Sequence, residues 1–326
     1  MKPPDHLSFD SFTAHDFMPF AREIWAYQRQ HNAVCHSFME HLGQSLNEPS
    51  SPEQFFFLPI RFFKSHPVVC CKDIPADYFE SSGTTGQIRS RHYIRDIKIY
   101  ESSFRKAFKD QFGSIESFCI LGLLPSYLER SHSSLINMVQ RLMQESGHPA
   151  NAFYLHDHEG LFYQLQVLEK NKQPVILFGT TFALLDFTEG YKLPLSNTLI
   201  IETGGMKGRK EEIIRDELIS RIKQSFTQAR VFSEYGMTEL FSQAYADESG
   251  IYHCPPWMKV LVRDEDDPLS VRKSGKGALN IIDLANMHSC SFIATDDVGE
   301  VFEDGSFKVM GRLDNSDMRG CSLLTV

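Results

Sequence analysis

Short apolar runs alternating with longer amphipathic stretches dominate the middle of this chain. Residues 117–124, 174–180, 197–203, 230–235 and 278–284 have the length and apolar content of strands buried on both faces. Helical stretches separate the first four runs. The clearest covers 208–226, where Ile213, Ile214, Leu218, Ile219, Ile222 and Phe226 line one face while Lys210, Glu211, Arg215 and Glu217 solvate the other. Strand and helix in alternation predict an α/β fold, a mainly parallel sheet covered by helices. In such sheets the ligand crevice lies beyond the carboxyl ends of the strands. Upstream, residues 17–42 pattern as one or two amphipathic helices. Residues 48–68, rich in phenylalanine and proline, read as an extended strap that lays aromatic rings on the body as core filling. The last third turns β-rich: residues 294–311 form two alternating runs around Glu303, Asp304 and Gly305, a hairpin signal.

At 326 residues the chain can bury a full-sized core, and length alone suggests about two domains. A net charge of −9 and a pI near 5.8 argue against a nucleic-acid surface, so an anionic ligand must be held by local basic groups. The N-terminal stretch has no apolar core of a leader, and no run approaches the length that spans a bilayer, which predicts a cytoplasmic protein without a membrane span. Seven cysteines, at 35, 70, 71, 119, 254, 290 and 321, form no CxxC pair and read as reduced thiols. His253 with Cys254 and His288 with Cys290 lack partners at zinc-ligand spacing.

Three stretches carry candidate chemistry. Ser81 to Gly86 reads SSGTTG, four hydroxyls and two glycines whose backbone N–H groups can turn inward around a polyphosphate. A helix expected over 92–111 would add its N-terminal partial charge. It is not a Walker loop, since no lysine follows the second glycine, and a solvated turn is the competing reading. Thr203, Gly204, Gly205 and Met206 follow a strand, where the double glycine either lets the backbone approach a flat ligand or simply turns the chain. Ser233 to Leu240, SEYGMTEL, offers Tyr235 as a stacking face, Thr238 as a hydroxyl and Glu239 as a hard oxygen ligand for magnesium. Asp296 and Asp297 precede the hairpin, as ribose-gripping acids or as solvated turn acids, and Arg312 ends it.

In this order and spacing, SSGTTG, SEYGMTEL and TDDVG followed by DG and GRLD resemble the adenylate-forming superfamily of acyl-CoA synthetases and luciferases, over about residues 80–320. Within it the chain most resembles the acyl-protein synthetase (LuxE) family, through its MRGCSLL tail. The resemblance implies residues 1–310 as the AMP-binding domain, the large N-terminal-type domain of these enzymes, with 1–75 its helical and extended N-terminal portion. Residues 311–326 would be a short tail, and the mobile C-terminal domain with its adenylation lysine is expected to be absent. It further implies that Ser82, Gly83, Thr84, Thr85 and Gly86 cradle the β- and γ-phosphates of ATP. Gly204, Gly205 and Tyr235 would enclose adenine, Thr238 face the α-phosphate, Glu239 hold Mg2+, Asp297 bind ribose and Arg312 act as the hinge arginine.

The expected reaction is ATP-dependent activation of a fatty acid, transfer to Cys321 as a thioester, and delivery to an acyl-CoA reductase-like (LuxC-like) partner. Departures from the pattern are Gln87, Arg89 and Arg91 where a lysine is common, and Asp296 where a glycine is usual. A thiolate is the best side-chain nucleophile toward a mixed anhydride. Cys321 lies nine residues beyond Arg312, so an extended tail would sweep about 30 Å, and Arg319 would favour the thiolate. The competing reading makes Cys321 a small buried hydrophobe. Leu123, Leu124, Pro125, Ser126 and Tyr127, with a helix expected over 131–142, line an acyl pocket or serve the core. The alternatives to an acyl-protein synthetase are an acyl- or aryl-CoA ligase and a non-catalytic nucleotide-binding subunit.

Overall fold

The structure is a computed structural model that describes residues 4, 7–43, 47–82, 88–125, 131–204 and 215–313. Helix α1 (Phe17–His31) stops at Asn32, whose extended backbone breaks the run and whose side chain accepts hydrogen bonds from Val34 N and Cys35 N, starting α2 (Ala33–His41). The aromatic strap is less extended than its composition suggests. It contains a 3-10 turn at Pro52–Gln54, strand β1 (Leu58–Pro59) and a single helical turn, α3 (Phe62–Ser65). Its phenylalanines do fill the core: Phe55, Phe56 and Phe63 are buried, and Phe55 stacks on Phe292 at 4.5 Å.

Strands β2 (Tyr78–Glu80) and β3 (Arg91–Tyr93) pair antiparallel as a two-stranded ribbon. The helix expected from residue 92 therefore begins later, as α4 (Ile97–Phe112). His92 and Tyr93 are held in the ribbon by Phe79 and Tyr78, and Asp96 caps the helix by accepting from Lys98 N at 2.9 Å.

The α/β part follows as β4 (Cys119–Leu123), α5 (Ser134–Ser146), β5 (Ala152–Phe153), α6 (His158–Lys170), β6 (Val175–Thr180), α7 (Thr181–Gly190), β7 (Thr198–Thr203), α8 (Arg215–Ser225) and β8 (Arg230–Tyr235). The β-rich part contains β9 (Ala244–Ala246), β10 (Tyr252–His253), β11 (Met258–Arg263), β12 (Val271–Arg272), β13 (Gly275–Asp283), β14 (Phe292–Val301) and β15 (Phe307–Arg312). One sheet runs through both parts in the order β12-β11-β13-β14-β15-β10-β9-β8-β7-β6-β4-β5, with β1 beside β14. It is parallel from β5 to β8 and antiparallel from β8 to β12.

Alternation along the parallel strands feeds two cores. Ile120, Ile176, Phe178, Ile201 and Phe232 join side chains of α1, α4 and α5, while Leu121, Val175, Leu177, Ile200 and Val231 join those of α6, α7 and α8. Burial on both faces explains why these strands read as continuous apolar runs. Leu123 and Leu124 enter opposite cores, so they serve packing rather than a common tunnel wall. Ser126 and Tyr127 lie outside the described residues. Among the described residues no helix is long and apolar enough to cross a membrane.

Candidate active site

The carboxyl ends of β7 and β8 carry an unusual load of buried polar side chains. Glu202 and Glu234 close two apolar runs, and each accepts a hydrogen bond from a threonine hydroxyl, Thr181 for Glu202 and Thr203 for Glu234. Burial raises both carboxyls and moves Glu234 up to about 7, with the nearby Glu202 adding to the shift against the Thr203 bond. Gly204 follows at φ +97° on an exposed turn, a conformation that favours glycine. Gly236 is needed for space: a Cβ there would lie 2.2 Å from Glu234 Oε1.

Tyr235 ends β8. Its hydroxyl donates to Asp297 Oδ2 at 2.8 Å, and Arg312 Nε donates to Asp297 Oδ1 at 2.9 Å. Asp297 and Arg312 are direct cross-strand partners on β14 and β15, so the hairpin registers the pair. The ring of Tyr235 is buried edge-on against Tyr252 and Phe307. Its part in this geometry is to fix one carboxylate oxygen of Asp297. Asp296 and Asp297 are thus strand residues rather than turn acids, and they alternate: Asp297 faces Tyr235, while Asp296 meets Arg61 Nη2 at 3.3 Å.

The turn after β8 is clamped through its backbone. His92 Nδ1 donates to the Thr238 carbonyl at 3.1 Å, which leaves Nε2 to accept from the Ser289 hydroxyl at 2.7 Å. Asn286 Nδ2 donates to the Glu239 carbonyl at 2.7 Å, and its Oδ1 accepts from Phe241 N at 3.0 Å. Asp283 Oδ2 accepts from Phe241 N and Ser242 N, both at 2.9 Å, and Oδ1 from Ser242 Oγ at 2.6 Å and Ala285 N at 3.0 Å. Gln28 on α1 braces the segment that carries Asn286, donating to the Asn286 carbonyl at 3.0 Å. Burial of the imidazole, only partly offset by the Thr238 bond, brings His92 down to about 4, so it is neutral at physiological pH. The Glu239 side chain is buried at the end of this turn.

Ser81 and Ser90 close the base of the SSGTTG loop, through Ser81 N to the Ser90 carbonyl at 3.1 Å and Ser90 N to Ser81 Oγ at 3.0 Å. Ser82 is exposed there. Arg89 and Arg91 both bind Glu80, at 2.8 and 3.1 Å. Burial pushes the Glu80 carboxyl up, but the two arginines outweigh it and hold it below the usual range. Gly83, Thr84, Thr85, Gly86, Gly205 and Cys321 lie outside the described residues.

No family model matches the sequence, and no curated protein matches it. Solved structures do. ATP-bound MatB from Rhodopseudomonas palustris superposes with a TM-score of 0.53 at 16% identity, covering 74% of this chain and 50% of that one. The amide bond synthetase McbA from Marinactinospora thermotolerans gives 0.52 at 14%, covering 84% and 52%. The luciferase-like enzyme of the nonluminescent mealworm Zophobas morio gives 0.51 at 17%, covering 75% and 60%. The fold is that of the adenylate-forming enzymes. The chain spans only 50–60% of the length of these neighbours.

Within this adenylate-forming fold, Tyr235, Asp297 and Arg312 meet directly, and Thr238 and Glu239 sit on the turn that leaves Tyr235. Sequence reasoning missed the groups that hold that turn. Asp283, Asn286 and His92 are polar residues inside or beside apolar runs, the one signal that marks them. Among the described residues no group of three or more His, Cys, Asp or Glu side chains converges as a metal cage. Glu239 fits magnesium only in the manner usual for that ion, one carboxylate shared with substrate phosphates.

Proposed function

We propose that the chain activates a fatty acid with ATP and passes the acyl group to Cys321. The observation that carries this reading is the Tyr235–Asp297–Arg312 constellation at the carboxyl end of β8, one turn from Thr238 and Glu239. An aspartate with one oxygen fixed by a tyrosine and the other by a half-exposed arginine suits a ribose diol, and the guanidinium can move onto a phosphate. The adenylate-forming fold supports the reading, as does the ATP bound to MatB.

In the reaction, a carboxylate oxygen of the fatty acid attacks the α-phosphorus in line and pyrophosphate leaves. Negative charge grows on the phosphate oxygens. Thr238 would donate to the α-phosphate and Arg312 would neutralise it; Glu239 would hold Mg2+, which would supply further positive charge to the phosphates. By the resemblance, residues 82–86 would cradle the β- and γ-phosphates, and Gly204 and Gly205 would approach adenine. The thiolate of Cys321 then attacks the acyl carbonyl, forming the thioester and releasing AMP. An acyl-CoA reductase-like partner takes the acyl group from the thioester.

Intact mass after incubation with Mg-ATP and a series of fatty acids, without CoA, tests this. One acyl increment on the wild type that is lost in Cys321→Ala is the expected result. Absence of the increment together with CoA-dependent consumption of ATP would replace the reading with a CoA ligase.

A further inference from the structure

Strand β14 leaves its ladder with β13 just where it carries Asp297. Ala278 pairs with Val298 and Asn280 with Ala294, so Leu279 alone stands opposite Thr295, Asp296 and Asp297. Two extra residues in one strand make a bulge, and because the excess is even, side chains keep the same alternation on either side of it. Only the segment 295–297 is displaced, and with it the carboxylate that meets Tyr235 and Arg312.

A buried charge braces this bulge. Arg263 ends β11, reaches across β13 toward β14 and is only 7% exposed. Its Nη1 donates to the Leu279 carbonyl at 3.0 Å and to Asn280 Oδ1 at 2.8 Å, and its Nη2 donates to the Thr295 carbonyl at 2.5 Å. One planar fork thus ties the two strands of the bulge together, a task that needs several donors in fixed directions. All three acceptors are uncharged oxygens. Holding a guanidinium on them in the interior carries a desolvation cost that an apolar side chain of similar volume would not, so the arginine answers to the bulge rather than to packing. Burial lowers its pKa, and the nearby charges of Asp296 and Asp297 work against that lowering. Thr295 completes the brace: its hydroxyl donates to the Leu279 carbonyl at 2.8 Å and accepts from Asp297 N at 3.2 Å.

We propose that Arg263 and Thr295 are positioning residues for the nucleotide, holding the β14 bulge so that Asp297 presents its carboxylate to the ribose diol. Both act through the backbone that bears Asp297 rather than on the nucleotide. The inference rests on the adenylation reading for the ligand of Asp297 and adds the residues that set its geometry.

Titration calorimetry of the full chain with ATP and with 2′,3′-dideoxy-ATP tests this on wild type, Arg263→Met, Thr295→Val and Thr295→Ser, with urea denaturation reporting the fold of each. A brace that serves stability alone lowers the urea midpoint and leaves the ratio of the two affinities as it is. A brace that aims Asp297 changes the ratio. The wild type is expected to prefer ATP by about 100-fold, for two hydroxyls on one carboxylate, and that preference should fall roughly tenfold in Arg263→Met and Thr295→Val with dideoxy-ATP affinity unchanged. Thr295→Ser keeps the hydroxyl and should keep the ratio. If Arg263→Met does not fold, the two Thr295 variants decide. Full selectivity in the folded variants overturns the proposal and leaves adenylation standing. An equal loss in Thr295→Ser and Thr295→Val also overturns it, by tracing the effect to packing. A wild type that binds ATP no better than dideoxy-ATP removes the ribose assignment of Asp297 and the proposal with it. Variant-sensitive selectivity in a chain without fatty-acid-dependent pyrophosphate exchange removes the enzyme reading alone.

Discussion

The turn at residues 238–242 and the Asp297–Arg312 pair sit at the same end of the sheet and are built in opposite ways. Buried side chains from two parts of the chain, His92 and the pair Asp283 and Asn286, hold the turn by its backbone, and Asp283 alone accepts three hydrogen bonds from it. The Asp297–Arg312 pair joins two side chains, one 10% and the other 57% exposed. In the interior each bond is strong and its loss leaves a desolvated group unpaired, whereas at the rim solvent and salt compete. The turn is therefore a fixed platform. The pair is a contact that can open when a ligand offers Arg312 a better anion.

The largest break in that contrast is Asp283→Ala, which strands the amides of Ser242 and Ala285 and leaves Phe241 N only Asn286 Oδ1. A loss of about 3–5 kcal/mol in urea denaturation is expected. Arg312→Ala should cost less than about 1 kcal/mol, because the side chain is more than half exposed. It should nonetheless weaken ATP binding, and salt should reduce ATP affinity less in the variant than in the wild type.

Acid and base sensitivity sharpen the picture. His92 has its folded value at about 4 against an ordinary 6.5, so the unfolded chain binds more protons between them, and lowering the pH through that window removes about 3 kcal/mol. Glu234 is displaced oppositely, to about 7 from 4.5, so raising the pH through its window removes a similar amount, about 3 kcal/mol. Between pH 4.5 and 6.5 the two slopes oppose each other. Glu234→Gln should therefore make stability fall more steeply than in the wild type as pH drops through this window. His92→Gln should make it fall more steeply as pH rises, with urea midpoints across pH as the readout. A modest effect on nucleotide affinity belongs to Tyr235→Phe, which removes one hydrogen bond to Asp297. About 1 kcal/mol in AMP affinity is expected, read by calorimetry.

The strands of the α/β part were legible because both faces are buried, which writes them as apolar runs that periodicity detects. Tyr235, Asp297 and Arg312 stand out in their motifs, but that they meet at Asp297 is seen only in the fold. The clamp was not, because pairing of buried polar groups is a long-range fact: Asp283 lies 42 residues from Phe241 and Gln28 lies 263 from Ser291. His92 was hidden by the helical pattern after it, which Asp96 starts only at Ile97.

Fatty-acid-dependent exchange of labelled pyrophosphate into ATP tests the central claim most directly. The account expects exchange in the wild type that requires both the fatty acid and magnesium and falls at least 100-fold, on the order of 3 kcal/mol of transition-state stabilisation, in Glu239→Gln. Exchange retained in full by Glu239→Gln would contradict the magnesium assignment, and no exchange by the wild type with any carboxylate would contradict adenylation itself.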